Sequence, residues 1–476
     1  MDANLSIKNY HTQLITQSTT CVDTLHVYLN RIEKNKHLNV FLEVFKEEAI
    51  QRAIYLDHLL KKGEKLGKLH GVICSIKDVL CFENHICSAS SKMLENFISI
   101  YTATAVQRLL DEGAIIIGRV NCDEFAMGNS NENGAFGPVL NAADNSKVPG
   151  GSSGGSAVSV QANLCMISLG SDTGGSVRQP ADFCGVIGFK PSYGRISRYG
   201  LISYASSFDC IGIFAKNIED VAITLEVIAG NDEFDSTATT LPVEKYSSLE
   251  KAKKPLKIAY FAETLTHPTL DVEIKKNIEL FLNKMEKRGH TVQSISFNLM
   301  DYIVPAYYIL ATAEASSNLS RYDGVHFGYR TSKKTNTIDE LIKLSRHDGF
   351  GKEVQKRILL GTFVLSASYY DSYYTKAQKI RNKLVQDTKQ IFANFDCIVS
   401  PTSPTTAFEL NKKFTNSAEI YLEDLYTVYA NLVGIPAISI PIFTHSNKMP
   451  HGLQILSDNY TEGTLLSIAN EFIQIK

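Results

Sequence analysis

From Gly71 onward, short apolar runs alternate with stretches in which apolar residues recur every three or four positions. GVICSI (71–76), AIIIGRV (114–120) and LCMISLG (164–170) read as buried strands, whereas AVQRLLDEG (105–113) and VAITLEVIAG (221–230) have helical spacing. The alternation resumes with PLKIAYF (255–261) and DVEIKKNIELFLNKMEKRGH (271–290), passes through a helix-rich stretch up to Phe395, and returns to strand in DCIVS, PAISIPIF and GLQILS before a last helix near 461–473. Strands alternating with helices predict an α/β fold, a sheet covered on both faces. The first 65 residues read differently. Thr20 can cap a helix through Arg31, and KEEAIQRAIYLDHLLKK forms a second, so 1–65 is expected as an N-terminal helical layer on a main domain of 66–476. The polar stretch 231–254 is expected as an insertion loop, because the strand and helix pattern resumes directly after it.

Length and charge narrow the class. At 476 residues the chain allows two or three compact units or one large α/β unit, and 44% hydrophobic with 21% charged residues is ordinary globular composition. With 48 basic and 50 acidic residues the net charge is -2, so no global field draws it to nucleic acid or anionic lipid. Nine cysteines without a C-x-x-C spacing indicate neither a disulfide framework nor a zinc site, and no metal is expected. The start lacks a signal-peptide pattern, and a reducing cytoplasm fits best. Residues 148–171 carry no charge over 24 positions, yet six Ser, five Gly and Pro149 make them too polar for a membrane span.

Two Gly/Ser clusters dominate the chemistry, GGSSGGS at 150–156 and GSDTGGSVRQP at 170–180. A flexible linker would not run directly into VSVQANLCMISL, a short helix leading to a buried strand. A phosphate cradle is a second reading, although neither cluster ends in Gly-Lys-Ser/Thr. Gly151 to Gly155 also matches G-x-S-x-G, but that elbow must follow a strand and NAADNSKVP before it is loop-like. The fourth reading is a serine nucleophile without histidine. Thr173, Gly174 and Gly175 could turn backbone N–H groups toward an oxyanion beside Ser176, at the start of the helix suggested by VRQPADF. The best base is Lys77, a lone cation closing VICSI. An unperturbed lysine would cost roughly 4.6 kcal/mol to deprotonate at pH 7, and burial in charge-poor surroundings offsets that cost.

At these residues the sequence resembles the amidase signature family, whose hallmark is a lysine ending a strand, a serine in GGSSGG and a second serine 24 positions on in D-T-G-G-S; here Ser152 to Ser176 is 24 residues. The resemblance implies a three-layer α/β/α sandwich with a large mixed twisted sheet. It also implies Ser176 as nucleophile, Ser152 as proton relay in a cis peptide and Lys77 as base. One departure is local: the family usually has asparagine after IKD, where this chain has Val79, so the support of Lys77 is expected to differ slightly. Further motifs, FAMGNSNENGAFGP, EASSNLSRYDGVHFG, FGKEVQKRILLGTF and SPTSPTTAF, extend the likeness over nearly the whole chain to the glutamine-hydrolysing subunits of tRNA-dependent amidotransferases. That implies passage of ammonia to a B subunit, which would use ATP and Mg to activate a misacylated tRNA, with a small C subunit holding the two together. It implies no cofactor in this chain, and tRNA contacts mainly through B.

A glutamine pocket should offer a cation to the α-carboxylate and a carboxylate to the ammonium. The resemblance supplies Arg357 and Asp424 for these, with Tyr308 packed nearby. Two other features are expected to be structural: the S-x-x-K of Ser248 to Lys251 in a charged loop, and KKGEKLGK (61–68) as a solvated face. Rival readings are a stand-alone amidase for another small amide, and a nucleotide-binding or scaffold protein.

Overall fold

Apolar runs with no polar alternation must be covered on both faces, and here they become the interior of one mixed sheet. The computed structural model describes residues 5–248, 255–413 and 419–475. Among these, eleven strands pair: β1 (Phe41–Val44), β2 (Ile73–Lys77), β3 (Ile115–Val120), β4 (Ile167–Asp172), β5 (Ile187–Lys190), β6 (Cys210–Ala215), β7 (Lys257–Phe261), β8 (Thr291–Ile295), β9 (Cys397–Pro401), β10 (Ala437–Thr444) and β11 (Pro450–Leu456). Their order across the sheet is β1-β3-β2-β4-β6-β5-β10-β11-β9-β7-β8. Pairing is parallel for β2 with β3 and β4, and for β7 with β8 and β9; the pairs around β5, β6, β10 and β11 are antiparallel. Every residue of β2, β3, β4, β5 and β6 is buried, so helices cover both faces there, and the fold is α/β as read.

Four strands were not legible as such. β5 has only four residues, β6 follows the Ser-rich stretch 191–209, β8 is a half-exposed edge strand with pattern TVQSI, and β1 lies inside the stretch expected to be helical. The helices Ile7–Ile15, Cys21–Lys34 and Lys46–Lys61 occupy most of the first 65 residues, and Thr20 caps the second by accepting the Asp23 N–H. Phe41–Val44 nevertheless pairs antiparallel with β3, so this stretch extends the sheet as well as layering helices on it. Its first helix is pinned further on by the Ile7 N–H to Asp220 Oδ1 bond of 3.0 Å.

One apolar core runs from Ile7 to Ile475. The expected insertion loop is turns and irregular backbone over 231–248; its remainder, 249–254, lies outside the described residues, as does Lys251 of the S-x-x-K match. The run at 61–68 is exposed or half-buried throughout. No helix among the described residues is long and apolar enough to cross a membrane.

Candidate active site

The charge-free stretch puts its serines around one cation. Lys77 ends β2 between β3 and β4, with no exposure to solvent. Its Nζ lies 2.7 Å from Ser152 Oγ and 2.9 Å from Ser153 Oγ and from Ser171 Oγ. Burial lowers the Lys77 pKa, opposed by the Cys122 thiol and by Asp123, Asp172 and Asp209 at longer range. Val79, where the family has asparagine, is wholly buried, and the turn after the lysine is held instead by Asp78. That carboxylate takes the N–H of Ser88 and Ser90 and an Arg119 N–H at 2.6 Å.

Gly151-Ser152 is a cis peptide, as the family likeness implied. A methyl group on Gly151 would lie 2.1 Å from Asp123 Oδ2, so glycine is required there by close approach. Ser153 follows in the same loop. It donates its hydroxyl to the Ser171 carbonyl at 3.0 Å and its N–H to the Ser176 carbonyl at 3.2 Å, which ties the first glycine cluster to the second. The first cluster is buried throughout and opens the helix Gly154–Gln161, so it is no linker. No strand precedes it, so it is no strand-to-helix elbow either.

Ser176 stands two residues before the helix Arg178–Cys184 and keeps 9% of its surface exposed. Asp172, at the end of β4, shapes the turn between them. Its carboxylate accepts the N–H of Gly175 at 2.9 Å and of Val177 at 3.1 Å, together with two donors of the buried Arg178. Burial alone would raise this carboxyl, but Arg178 outweighs it, and the pKa is held down at about 2. The Gly175 N–H is therefore occupied, and among the candidate donors Thr173 and Gly174, with Ser176 itself, are left to face an oxyanion. Gly175 serves the backbone instead: its φ is +130°, and a Cβ there would meet Thr427 Oγ1 at 2.1 Å. The Thr173 hydroxyl is engaged by Asp209 at 2.6 Å.

The residues expected to recognise glutamine form a second group. The Tyr308 hydroxyl donates to Asp424 Oδ2 at 2.6 Å, and Arg357 lies over the Tyr308 ring at 5.4 Å. Burial pushes the Asp424 carboxyl up to about 7, with the Tyr308 hydroxyl and Arg357 pulling the other way. Arg357 gives Nε to Glu353 and Nη1 to the Tyr204 hydroxyl, both at 2.9 Å.

Two bridges join this group to Ser176. Thr427 donates its hydroxyl to the Gly174 carbonyl at 2.6 Å and its N–H to the Asp424 carbonyl at 3.1 Å. Tyr204, bonded to Arg357, gives its N–H to Asp209, the partner of Thr173. Ser153, Ser171 and Asp172 were within the motifs and could have been read as supports; Thr427 and Tyr204, far off in sequence, gave no signal. Among the described residues no cluster of three or more His, Cys, Asp or Glu side chains could hold a metal ion. All nine cysteines are free and buried.

A buried lysine among serine hydroxyls, beside a serine on a glycine-rich turn, is the equipment of a serine amidohydrolase, and the chain matches the amidase family model over residues 23–466. It belongs to the amidase signature family. Relatives give finer resolution. It is 46% identical over 477 residues to the A subunit of the glutamyl-tRNA(Gln) amidotransferase of Koribacter versatilis (strain Ellin345), covering 99% of this chain and 98% of that one. The crystal structure of the corresponding subunit from Thermotoga maritima superposes with a TM-score of 0.79 at 35% identity, covering 98% of this chain and 94% of the other. The peptide amidase of Stenotrophomonas maltophilia superposes with a TM-score of 0.82 at 25% identity, covering 99% and 96%.

Proposed function

We propose that this chain is the glutamine-hydrolysing subunit of a tRNA-dependent amidotransferase, with Ser176 as nucleophile, Ser152 as relay and Lys77 as base. The observation that carries the chemistry is the Lys77 amine 2.7 Å from Ser152 Oγ in a wholly buried position. Proton bookkeeping gives this contact a direction. A neutral amine has two N–H donors and one lone pair. Ser153 already donates its proton to the Ser171 carbonyl, so its oxygen can only accept from Nζ. With Ser171 Oγ taking the second N–H, the lone pair is left for the Ser152 proton.

Ser152 then gives its proton to Lys77 as it takes that of Ser176, whose oxygen attacks the side-chain carbonyl of glutamine. The N–H groups of Thr173, Gly174 and Ser176 hold the oxyanion. Lys77 returns a proton through Ser152 to the departing nitrogen, the C–N bond breaks, and ammonia leaves. Water, deprotonated by the same relay, cleaves the glutamyl ester and frees Ser176. Arg357 holds the substrate carboxylate, and Asp424, positioned by Tyr308, holds its ammonium.

The names carried by relatives at 46% identity over nearly their full length support the wider assignment. Ammonia released here passes to a B subunit that uses ATP and Mg to activate Glu-tRNA(Gln), Asp-tRNA(Asn) or both, with a C subunit joining the two, in the cytoplasm. This chain itself uses no cofactor. Ser176→Ala should lower ammonia release from glutamine by about 10⁴-fold or more. Near-normal release in that variant, read with a coupled glutamate assay, would end the assignment.

A further inference from the structure

Glu124 stands outside the cluster of serines and lysine, yet is buried at 2% exposure between two elements that carry different halves of the site. Its Oε1 accepts the Ser91 hydroxyl at 2.5 Å, and its Oε2 accepts the N–H of Gly351 at 2.8 Å. Gly351 opens the helix Lys352–Leu365, which bears Glu353 and Arg357. A methyl group on Gly351 would lie 2.4 Å from Glu124 Oε2, so the contact is built on the closest approach a backbone allows. The next residue reinforces it: Phe125 packs on Phe350, one position before the glycine, at 5.7 Å between ring centres.

On its other side Glu124 adjoins the catalytic loop. Asp123 gives its N–H to the Ser152 carbonyl at 3.1 Å and takes the N–H of Asn131 and Asn133. Two adjacent acidic residues thus hold two different parts of the molecule, Glu124 through its carboxylate and Asp123 through its N–H. The backbone around them is strained to do so. Phe125 and Ala126 have φ of 50° and 59°, and Ala89 and Ser90, joined to them by the Phe125 N–H to Ala89 carbonyl bond, have 50° and 48°. None is glycine, and left-handed conformations in such residues persist only where surroundings enforce them, which happens most often at functional sites.

The helix itself is fixed at two points. In its second half Gly361 lies against the Thr312 carbonyl, with a Cβ position 2.0 Å from that oxygen. Glu124 and Ser91 hold the start, and Arg357 lies between the two. We propose that Glu124 is a positioning residue for glutamine recognition: by holding the first turn of Lys352–Leu365 against the catalytic loop, it sets the reach of Arg357 toward the substrate carboxylate. This rests on Arg357 binding that carboxylate, as proposed above.

The test separates recognition from chemistry. Ser176 of the full chain is labelled with phenylmethylsulfonyl fluoride, which needs the nucleophile and base but no α-carboxylate, and glutamine is titrated as protector. For Glu124→Ala the labelling rate without glutamine should stay within about twofold, and the half-protecting glutamine concentration should rise about tenfold, or about 1.4 kcal/mol. Glu124→Gln keeps an oxygen for the Gly351 N–H, so its rise should be below about threefold. Unchanged protection in Glu124→Ala, or a labelling rate that falls in step with protection, overturns the inference. Should that variant fail to fold by thermal unfolding, Glu124→Leu, similar in size and without an acceptor, carries the same expectation. Arg357→Lys is the reference. If it too protects normally, the assignment of the carboxylate site fails and takes this inference with it; if it loses protection while the Glu124 variants do not, only the role of Glu124 falls.

Discussion

At Lys77 the chain surrounds a titratable amine with three hydroxyls in a position closed to solvent, and the two halves of that arrangement pull against each other. Burial favours the neutral form and lowers the pKa. Three oxygens at 2.7–2.9 Å favour the ammonium, because it can donate to all of them. If Lys77 is the base, kcat/KM for glutamine should rise with pH through its lowered pKa, since only the neutral amine can take the Ser152 proton. Ser171→Ala removes one acceptor and costs the ammonium more than the amine, so the rise should move to lower pH. Its plateau should fall about tenfold for one lost hydrogen bond to the catalytic group. A pH profile unmoved by this change would detach Ser171 from the base. Asp424 gives a second titration with its own sign. Burial raises it to about 7, and only the carboxylate attracts an ammonium. Glutamine binding to a Ser176→Ala protein, measured by calorimetry, should therefore weaken about tenfold per pH unit below about 7, and Asp424→Asn should flatten that dependence.

The turn from β4 into the helix Arg178–Cys184 shows how an element too short to stand alone is held in place. Its seven residues have no side-chain cap of the usual kind. Asp172, four residues before Ser176, instead takes two backbone N–H groups and the Arg178 guanidinium, and Arg178 reaches on to the Thr427 carbonyl, Gln454 and Asn431. Asp172→Ala leaves a buried guanidinium without its anion and should cost about 3–5 kcal/mol, read as a fall in the denaturant midpoint. With its pKa depressed from 3.8 to about 2, the aspartate contributes stability that is present above about pH 4 and lost as pH falls toward 2. The same stretch shows what a sequence makes legible. GSDTGGS marks the turn, and the apolar runs at 71–76, 114–120 and 164–170 mark β2, β3 and β4, because a strand buried on both faces needs continuous apolar residues. The edge strand β8 needs no such run, with three of its five residues exposed, and went unread. The availability of the Gly175 N–H could not be read either, because it depends on where the Asp172 carboxylate turns, and that is settled by Asn431 and by Arg178, itself held by Thr427 and Gln454 arriving from far along the chain.

Taken as a whole, the molecule joins Lys77 and the serines around it, which lie on β2, on β4 and in the turns beside them, to a second group drawn from residues 204, 308, 357 and 424. Two links run between them besides the Glu124 contact: Thr427 from Asp424 to Gly174, and Tyr204 from Arg357 to Asp209 and so to Thr173. Both of these links end on the turn that carries Ser176, which gives a partner that moves residues 204 or 424 a route to the proposed nucleophile. Coupling of this kind suits a subunit that must release ammonia only when an activated acceptor is waiting. Ammonia release from glutamine should accordingly be slow in the isolated chain and rise when partner subunits, ATP and Glu-tRNA(Gln) are added together, measured as glutamate formed per minute at fixed enzyme. Release that is unchanged by these additions, together with equal turnover of unrelated amides, would instead make this chain an amidase that works alone. Thr427→Val keeps the shape and removes the hydroxyl bonded to Gly174. It should leave the assembly intact and reduce the stimulation by partners more than the basal rate, because it breaks one of the two links from residues 204 and 424 to the turn that carries Ser176.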